Sequence, residues 1–131
     1  MKIARLGVLV VSVLFAVLGS VGCSNPAGSS AAKTHSWYYT VSVTTGTQAY
    51  VESCINSTGG QDTPGTVTTP WTSSTYATPS SGANPEVLLV SAWLPTGVTG
   101  SITANIYEDG NQVATQTASG TGAMVEPTHA P

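Results

Sequence analysis

The chain has 131 residues, room for one domain of ordinary size, and only 7% of them are charged, against roughly 25% in an average globular chain. Of its three basic residues, Lys2 and Arg5 lie within the first five positions. Beyond them Lys33 alone faces Glu52, Asp62, Glu86, Glu108, Asp109 and Glu126, one positive charge against six negative for a net of −5 with neutral histidines. That balance excludes nucleic-acid binding, which needs clustered Lys and Arg to neutralise phosphates, and it offers no attraction to an anionic membrane surface.

Met1 to Arg5 forms a short positive segment, and Leu6 to Val21 follows as an uninterrupted apolar run. This is the layout of an export signal covering residues 1–22. The run is shorter than the roughly 20 residues that cross a bilayer as a straight helix, which disfavours an uncleaved anchor. Its end, Gly19-Ser20-Val21-Gly22-Cys23-Ser24, resembles the lipobox of bacterial lipoproteins, in which a cysteine sulfur is acylated and the chain is cut just before it. Cleavage is expected between Gly22 and Cys23, with Cys23 as the lipid-bearing first residue and the membrane as a partner through that anchor. Ser20-Val21-Gly22 also reads as a small-x-small site for ordinary signal peptidase, which releases a soluble protein. With acylation the domain is extracytoplasmic and held at the cell membrane or an outer membrane. The absence of Asp after Cys23 favours the latter where one exists.

Ser24 to Lys33 shows no apolar periodicity, so residues 23–35 are expected to be a flexible tether with a reach of roughly 17 Å for ten residues. From Ser36 the pattern changes to short runs rich in β-branched and aromatic residues, separated by Gly, Pro, Asn and Asp clusters. Trp37 to Val43 is the first predicted strand. Gln48 to Asn56 is the second, with an ambiguous inward face because Ala49, Val51 and Ile55 alternate with Tyr50, Glu52 and Cys54. Thr66 to Thr69 leads into Pro70-Trp71, where the proline argues for an edge or a strand junction, and Thr72 to Ala77 continues extended.

Glu86 to Leu94 is the most apolar segment and is predicted as a central strand buried on both sides. Ser101 to Tyr107 alternates with Ile102, Ala104 and Ile106 inward. Asp109-Gly110 then marks a tight hairpin, with Val113 to Ala118 as the return strand. Ala123 to Val125 is a last short strand, and residues 127–131 read as a loose tail. About seven strands within residues 36–126 predict an all-β, immunoglobulin-like antiparallel sandwich.

In that order Trp37 to Val43, the turn at Asn56 to Gly60, Pro70-Trp71, Leu89 to Ala92, Ser101 to Gly110 and Thr117 to Gly120 resemble the MmpS (mycobacterial membrane protein small) family and its lipoprotein-type relatives. The resemblance spans most of Trp37 to Val125, and the Ile106-Tyr107-Glu108-Asp109-Gly110 hairpin is its most specific part. It implies a β-sandwich outside the membrane and a role as accessory to large lipid-exporting transporters.

Residues suited to catalysis are few. His35 and His129 are expected in the tether and the tail, where neither is held as a general base. Glu108 and Asp109 are expected at a hairpin tip as a solvated charge and a turn former. Cys54 reads as a small buried hydrophobe, since no basic residue nearby in sequence lowers its pKa. No Cys/His spacing suits zinc, no Gly-rich loop cradles phosphate and no nucleophile elbow occurs, so the sequence implies neither an enzyme nor a metal or other cofactor.

Trp37, Trp71 and Trp93 are expected to pack in the core. Trp71, beside the proline-marked edge, is the one proposed for ligand contact. The expected function is a non-enzymatic interaction domain, an accessory to an envelope transport complex with a protein partner in the envelope. A surface or periplasmic module for a glycan or hydrophobic ligand, or a structural lipoprotein without a specific ligand, remains open, as does the oligomeric state.

Overall fold

Residues 34–78 and 85–131 are described by the computed structural model. The signal segment, Gly22, Cys23 and most of the tether lie outside the described residues. Eleven strand segments occur among the described residues: β1 (Ser36–Val43), β2 (Gln48–Ile55), β3 (Gln61–Asp62), β4 (Gly65–Thr68), β5 (Trp71–Thr72), β6 (Tyr76–Ala77), β7 (Leu88–Trp93), β8 (Thr99–Glu108), β9 (Asn111–Thr121), β10 (Met124–Val125) and β11 (Thr128–His129). No helix occurs among them.

The strands form two antiparallel sheets in a sandwich-like arrangement. In the first, the order is β5-β1-β8-β9, with β6 also on the free edge of β1. In the second, the order is β10-β7-β2-β3, with β11 on β7 and β4 on β2. Period-two alternation sends one side of each strand inward. Trp37, Tyr39 and Val41 of β1 and Ile102, Ala104 and Ile106 of β8 form one wall of the core. Ala49, Val51 and Cys54 of β2, Leu88, Val90 and Ala92 of β7, and Leu94 and Val125 form the other. Each fully buried large aliphatic side chain here contributes about 1.5–3 kcal/mol.

The ambiguous face of the second strand has a local cause. The β2–β7 register shifts between Val51 and Ser53, so Glu52 is the extra residue of a β-bulge. Ala49 and Val51 point inward before the bulge. Beyond it the parity changes, and Cys54 becomes the buried residue.

The outward face of the first sheet is polar without being charged. Hydroxyl pairs cross from β8 to β9 at Thr99–Thr121 (2.7 Å), Ser101–Ser119 (2.6 Å) and Thr103–Thr117 (2.8 Å), and the Thr115 hydroxyl donates to Asn105 Oδ1 at 2.7 Å. Such cross-strand pairs let Ser and Thr replace the charges usual on an exposed sheet. The β8–β9 hairpin closes through Asp109 and Gly110, at φ 49° and 82°. Positive φ at both central residues is the type I′ geometry, whose twist matches that of the flanking strands.

The proline-marked junction is both an edge and a crossing. β4 pairs with β2 in the second sheet, and β5, after the cis Thr69–Pro70 bond, pairs with β1 in the first. Prediction and structure differ at the C-terminus. The tail read as loose instead pairs with β7, Thr128 opposite Leu89 and His129 opposite Leu88. Val125 and Pro127 are buried and His129 half-buried, so the inward alternation of a strand continues past Glu126.

Candidate functional site

The turn after β2 begins the site. Asn56 Oδ1 accepts from the Thr58 backbone N–H at 3.0 Å and from the Thr58 hydroxyl at 2.7 Å, while the Asn56 N–H donates to the Gly60 carbonyl at 2.9 Å. These bonds reverse the chain, with Gly59 at φ 76°, and return it as β3 with Asp62 opposite Cys54. On the other sheet, β5 and β6 run along the free edge of β1 and carry Trp71 and Tyr76. Between the two edges lies an open cleft of about 560 Å³, lined from one side by Gln61, Asp62, Thr63 and Pro64. Trp71, Thr72, Ser73, Ser74 and Tyr76 line the other.

Asp62 joins the two sides. Its Oδ1 accepts from Asn56 Nδ2 at 2.9 Å, and its Oδ2 accepts from the Tyr76 hydroxyl at 2.7 Å. Those two bonds favour the ionised form and hold its carboxyl below the usual carboxylate range. The Tyr76 hydroxyl is pushed well above the ordinary tyrosine value, first by burial and then by the hydrogen bond to Asp62.

Beneath it, the Tyr39 hydroxyl and Trp37 Nε1 both donate to the Ile55 carbonyl, at 3.0 and 3.1 Å, tying β1 to the end of β2. Burial is also the main cause that raises the Tyr39 hydroxyl far above its ordinary value. Cys54 Sγ lies 3.6 Å from Tyr76 Oη, and burial pushes its thiol up. At neutral pH the site therefore presents an ionised, hydrogen-bonded carboxylate, neutral phenols and a neutral buried thiol.

Trp71, the residue singled out from the sequence, stands opposite Val41 at the edge of the first sheet, half-buried against the core and open to the cleft. The other two tryptophans part company. Trp37 is fully buried, whereas Trp93 lies on the outward side of β7 and stacks on Tyr50 with ring centroids 4.6 Å apart. Met124 is opposite Trp93 in register, and with Tyr50 38% and Met124 49% exposed these residues form a row along the outer face of the second sheet.

A second grouping escaped sequence reasoning. His35 Nδ1 lies 2.7 Å from Glu108 Oε1, and His129 Nε2 lies 3.1 Å from Glu108 Oε2. His35 is thus fastened to the hairpin, and Glu108, with its side chain 13% exposed, bridges two rings and is not a solvated charge. The cause is register. Trp37 pairs with Glu108, which brings residue 35 beside the hairpin, and β11 carries His129 to the same end.

Asp109 completes that end, since its backbone N–H donates to the Ser36 carbonyl at 2.7 Å and its Oδ1 accepts from the Ser36 N–H at 2.9 Å. The alternation of Val125, Pro127 and His129 is the one local signal that could have revealed the last strand. The two rings meet different oxygens of Glu108, and among the described residues no group of three or more His, Cys, Asp or Glu is arranged to hold a metal ion.

Compared with known proteins, the chain matches no family model, and no curated protein matches it.

Proposed function

We propose that this chain is a non-enzymatic binding domain, extracytoplasmic and tethered to a membrane through acylated Cys23, whose cleft at Trp71 receives a glycan. The observation that carries the reading is the composition of that cleft, an edge tryptophan beside a tyrosine with a carboxylate, hydroxyls and an amide around them. A sugar ring has an apolar C–H face and a rim of hydroxyls. An aromatic side chain covers the first, and Asp62, Gln61, Thr63, Thr72 and Ser74 offer partners for the second. Asp62 keeps accepting capacity beyond the two bonds it already receives, because each carboxylate oxygen carries two lone-pair sites.

Tryptophan fluorescence and calorimetric titration with neutral oligosaccharides test this reading. Trp71→Ala should weaken binding at least about tenfold, equivalent to about 1.4 kcal/mol, and Trp71→Phe, which keeps most of the packing, should weaken it less. A folded Trp71→Ala domain that binds as tightly as wild type overturns it. The tether is tested separately by labelled palmitate, expected on wild type and lost in Cys23→Ala.

The outward row of Tyr50, half-buried Trp93 and Met124 favours a second reading, as the protein-contacting accessory of an envelope transport complex that the MmpS resemblance implies. Aromatic residues and Met are enriched at such interfaces. Crosslinking from Tyr50 in intact cells should then capture a membrane transporter, and capture of none removes this second reading.

A further inference from the structure

We propose that the hollow on the outer face of the second sheet is a subsite for a protonated amine, carried on an amino-sugar unit of the same ligand that occupies the Trp71 cleft. The inference rests on the glycan reading for its carrier, and on its own residues for the amine.

Ser53 on β2 and Ser91 on β7 face each other in register, on the side of the sheet away from Val90 and Ala92. Two small side chains opposite one another leave a depression between taller neighbours. It measures about 420 Å³ and is lined by Glu52, Ser53, Gln61, Thr63, Leu89, Ser91 and Glu126. The bulge that makes Glu52 the extra residue of β2 brings its carboxylate to this rim. Glu126 is held on the rim by its backbone N–H, which donates to Gln116 Oε1 at 2.6 Å.

Ser91 points to a ligand. The residue is 3% exposed, and its Oγ is buried without a hydrogen-bond partner. Leaving such a group unsatisfied is destabilising, so a hydroxyl on the floor of a polar hollow is best explained by what it meets when the hollow is filled.

Charge narrows the class. Two carboxylates border the hollow, and the sequence contains no Lys or Arg after Lys33, so no such side chain within residues 34–131 can neutralise them. A primary ammonium has three donors and no acceptor, which complements a hydroxyl oxygen and two carboxylates. A metal ion fits less well, since among the described residues no group of three or more His, Cys, Asp or Glu is arranged to hold one.

Its volume exceeds what an ammonium fills and lies in the range of small-molecule sites, which leaves room for the group that carries the amine. Gln61 and Thr63 line both this hollow and the Trp71 cleft. A chain of sugar units can therefore lie across β3 with one unit in each.

The test compares chitotriose, whose units carry free amines, with its fully N-acetylated counterpart, titrated into the domain at low salt and about pH 6, below the titration of such amines. The free-amine sugar should bind at least about tenfold tighter. Glu52→Gln and Glu126→Gln should each reduce that advantage and together abolish it, while Glu86→Gln, the same charge change as either single variant but at an exposed position outside the hollow, should leave it intact. Ser91→Ala should reduce the advantage without lowering the urea midpoint.

Equal affinity for the two sugars, or no binding of either, overturns the inference. So does an advantage that falls equally with Glu86→Gln, because general electrostatic attraction then explains it. If the advantage depends on Glu52 and Glu126 while Trp71→Ala changes nothing, the amine site stands and the glycan reading of the Trp71 cleft fails. If Trp71→Ala weakens both sugars equally and the amine brings no advantage, that reading stands and this inference fails.

Discussion

Replacing Tyr76 by Phe removes one oxygen and keeps the ring that packs 6.1 Å, centroid to centroid, from both Trp37 and Tyr39. The loss is therefore the 2.7 Å bond to Asp62 and the weaker 3.6 Å contact with the Cys54 thiol. A hydrogen bond to a charged group contributes about 1.5–3 kcal/mol. Asp62 is partly exposed and retains its bond from Asn56, so water replaces part of the loss and solvent screens the charge. A cost near the lower end, about 1.5 kcal/mol, is expected, or roughly 6–12 °C in Tm for a domain of this size.

The cost should depend on pH. Because the folded carboxyl titrates below its unfolded value, its contribution is complete above about pH 4 and is lost as pH falls through the lowered folded value. Urea unfolding followed by tryptophan fluorescence at about pH 7 and about pH 2.5 should show the larger difference at the higher pH. In an Asp62→Asn background the same substitution should cost less than half as much. An equal cost at both pH values, or in both backgrounds, refutes the assignment of a charge-assisted bond across the two sheet edges.

Alkaline stability has the opposite sign. Cys54, Tyr39 and Tyr76 titrate above their ordinary values when folded, so above the unfolded values of about 8.5 and 10 the unfolded chain loses protons first and stability falls with pH. Cys54→Ala should move the onset of that fall from about pH 8.5 toward about pH 10 in urea titrations. Glu108→Gln should cost about 1–2 kcal/mol and speed hydrogen exchange at the β11–β7 pairing, where unchanged exchange would contradict the bridging role. Ile106→Ala, fully buried, should cost about 2–5 kcal/mol, whereas Thr103→Ala on the outer hydroxyl ladder should cost no more than about 1 kcal/mol. Gly110→Ala should cost about 1–2 kcal/mol by thermal melting, because φ 82° places a new Cβ against the backbone.

The elements most legible in the sequence are those whose determinants are local. Ile102, Ala104 and Ile106 alternate within one strand, and Asp109-Gly110 supplies the two positive φ values a tight hairpin needs. The apolar run Glu86 to Leu94 marks β7, which pairs on both edges, although its outward Leu89 and Trp93 are half-buried and not fully buried as expected. Pro70 marked the place where the chain leaves one sheet for the other, and Trp71 beside it could be singled out for the same reason. What depended on pairing between distant segments was not legible. The parity change at Glu52 follows from how β2 meets β7, and it decides that Cys54 turns inward and that Ser53 faces Ser91.

His35 and Glu108 are separated by 73 residues, and each looks solvated in its own surroundings. Only the β1–β8 register and the return of β11 place them within hydrogen-bond distance. Asp62 and Tyr76 meet for a similar reason, on edges of two different sheets. Periodicity along a strand reports which face is apolar. Which polar groups share a cleft is set by register and by the packing of one sheet on the other, and these are properties of the tertiary structure alone.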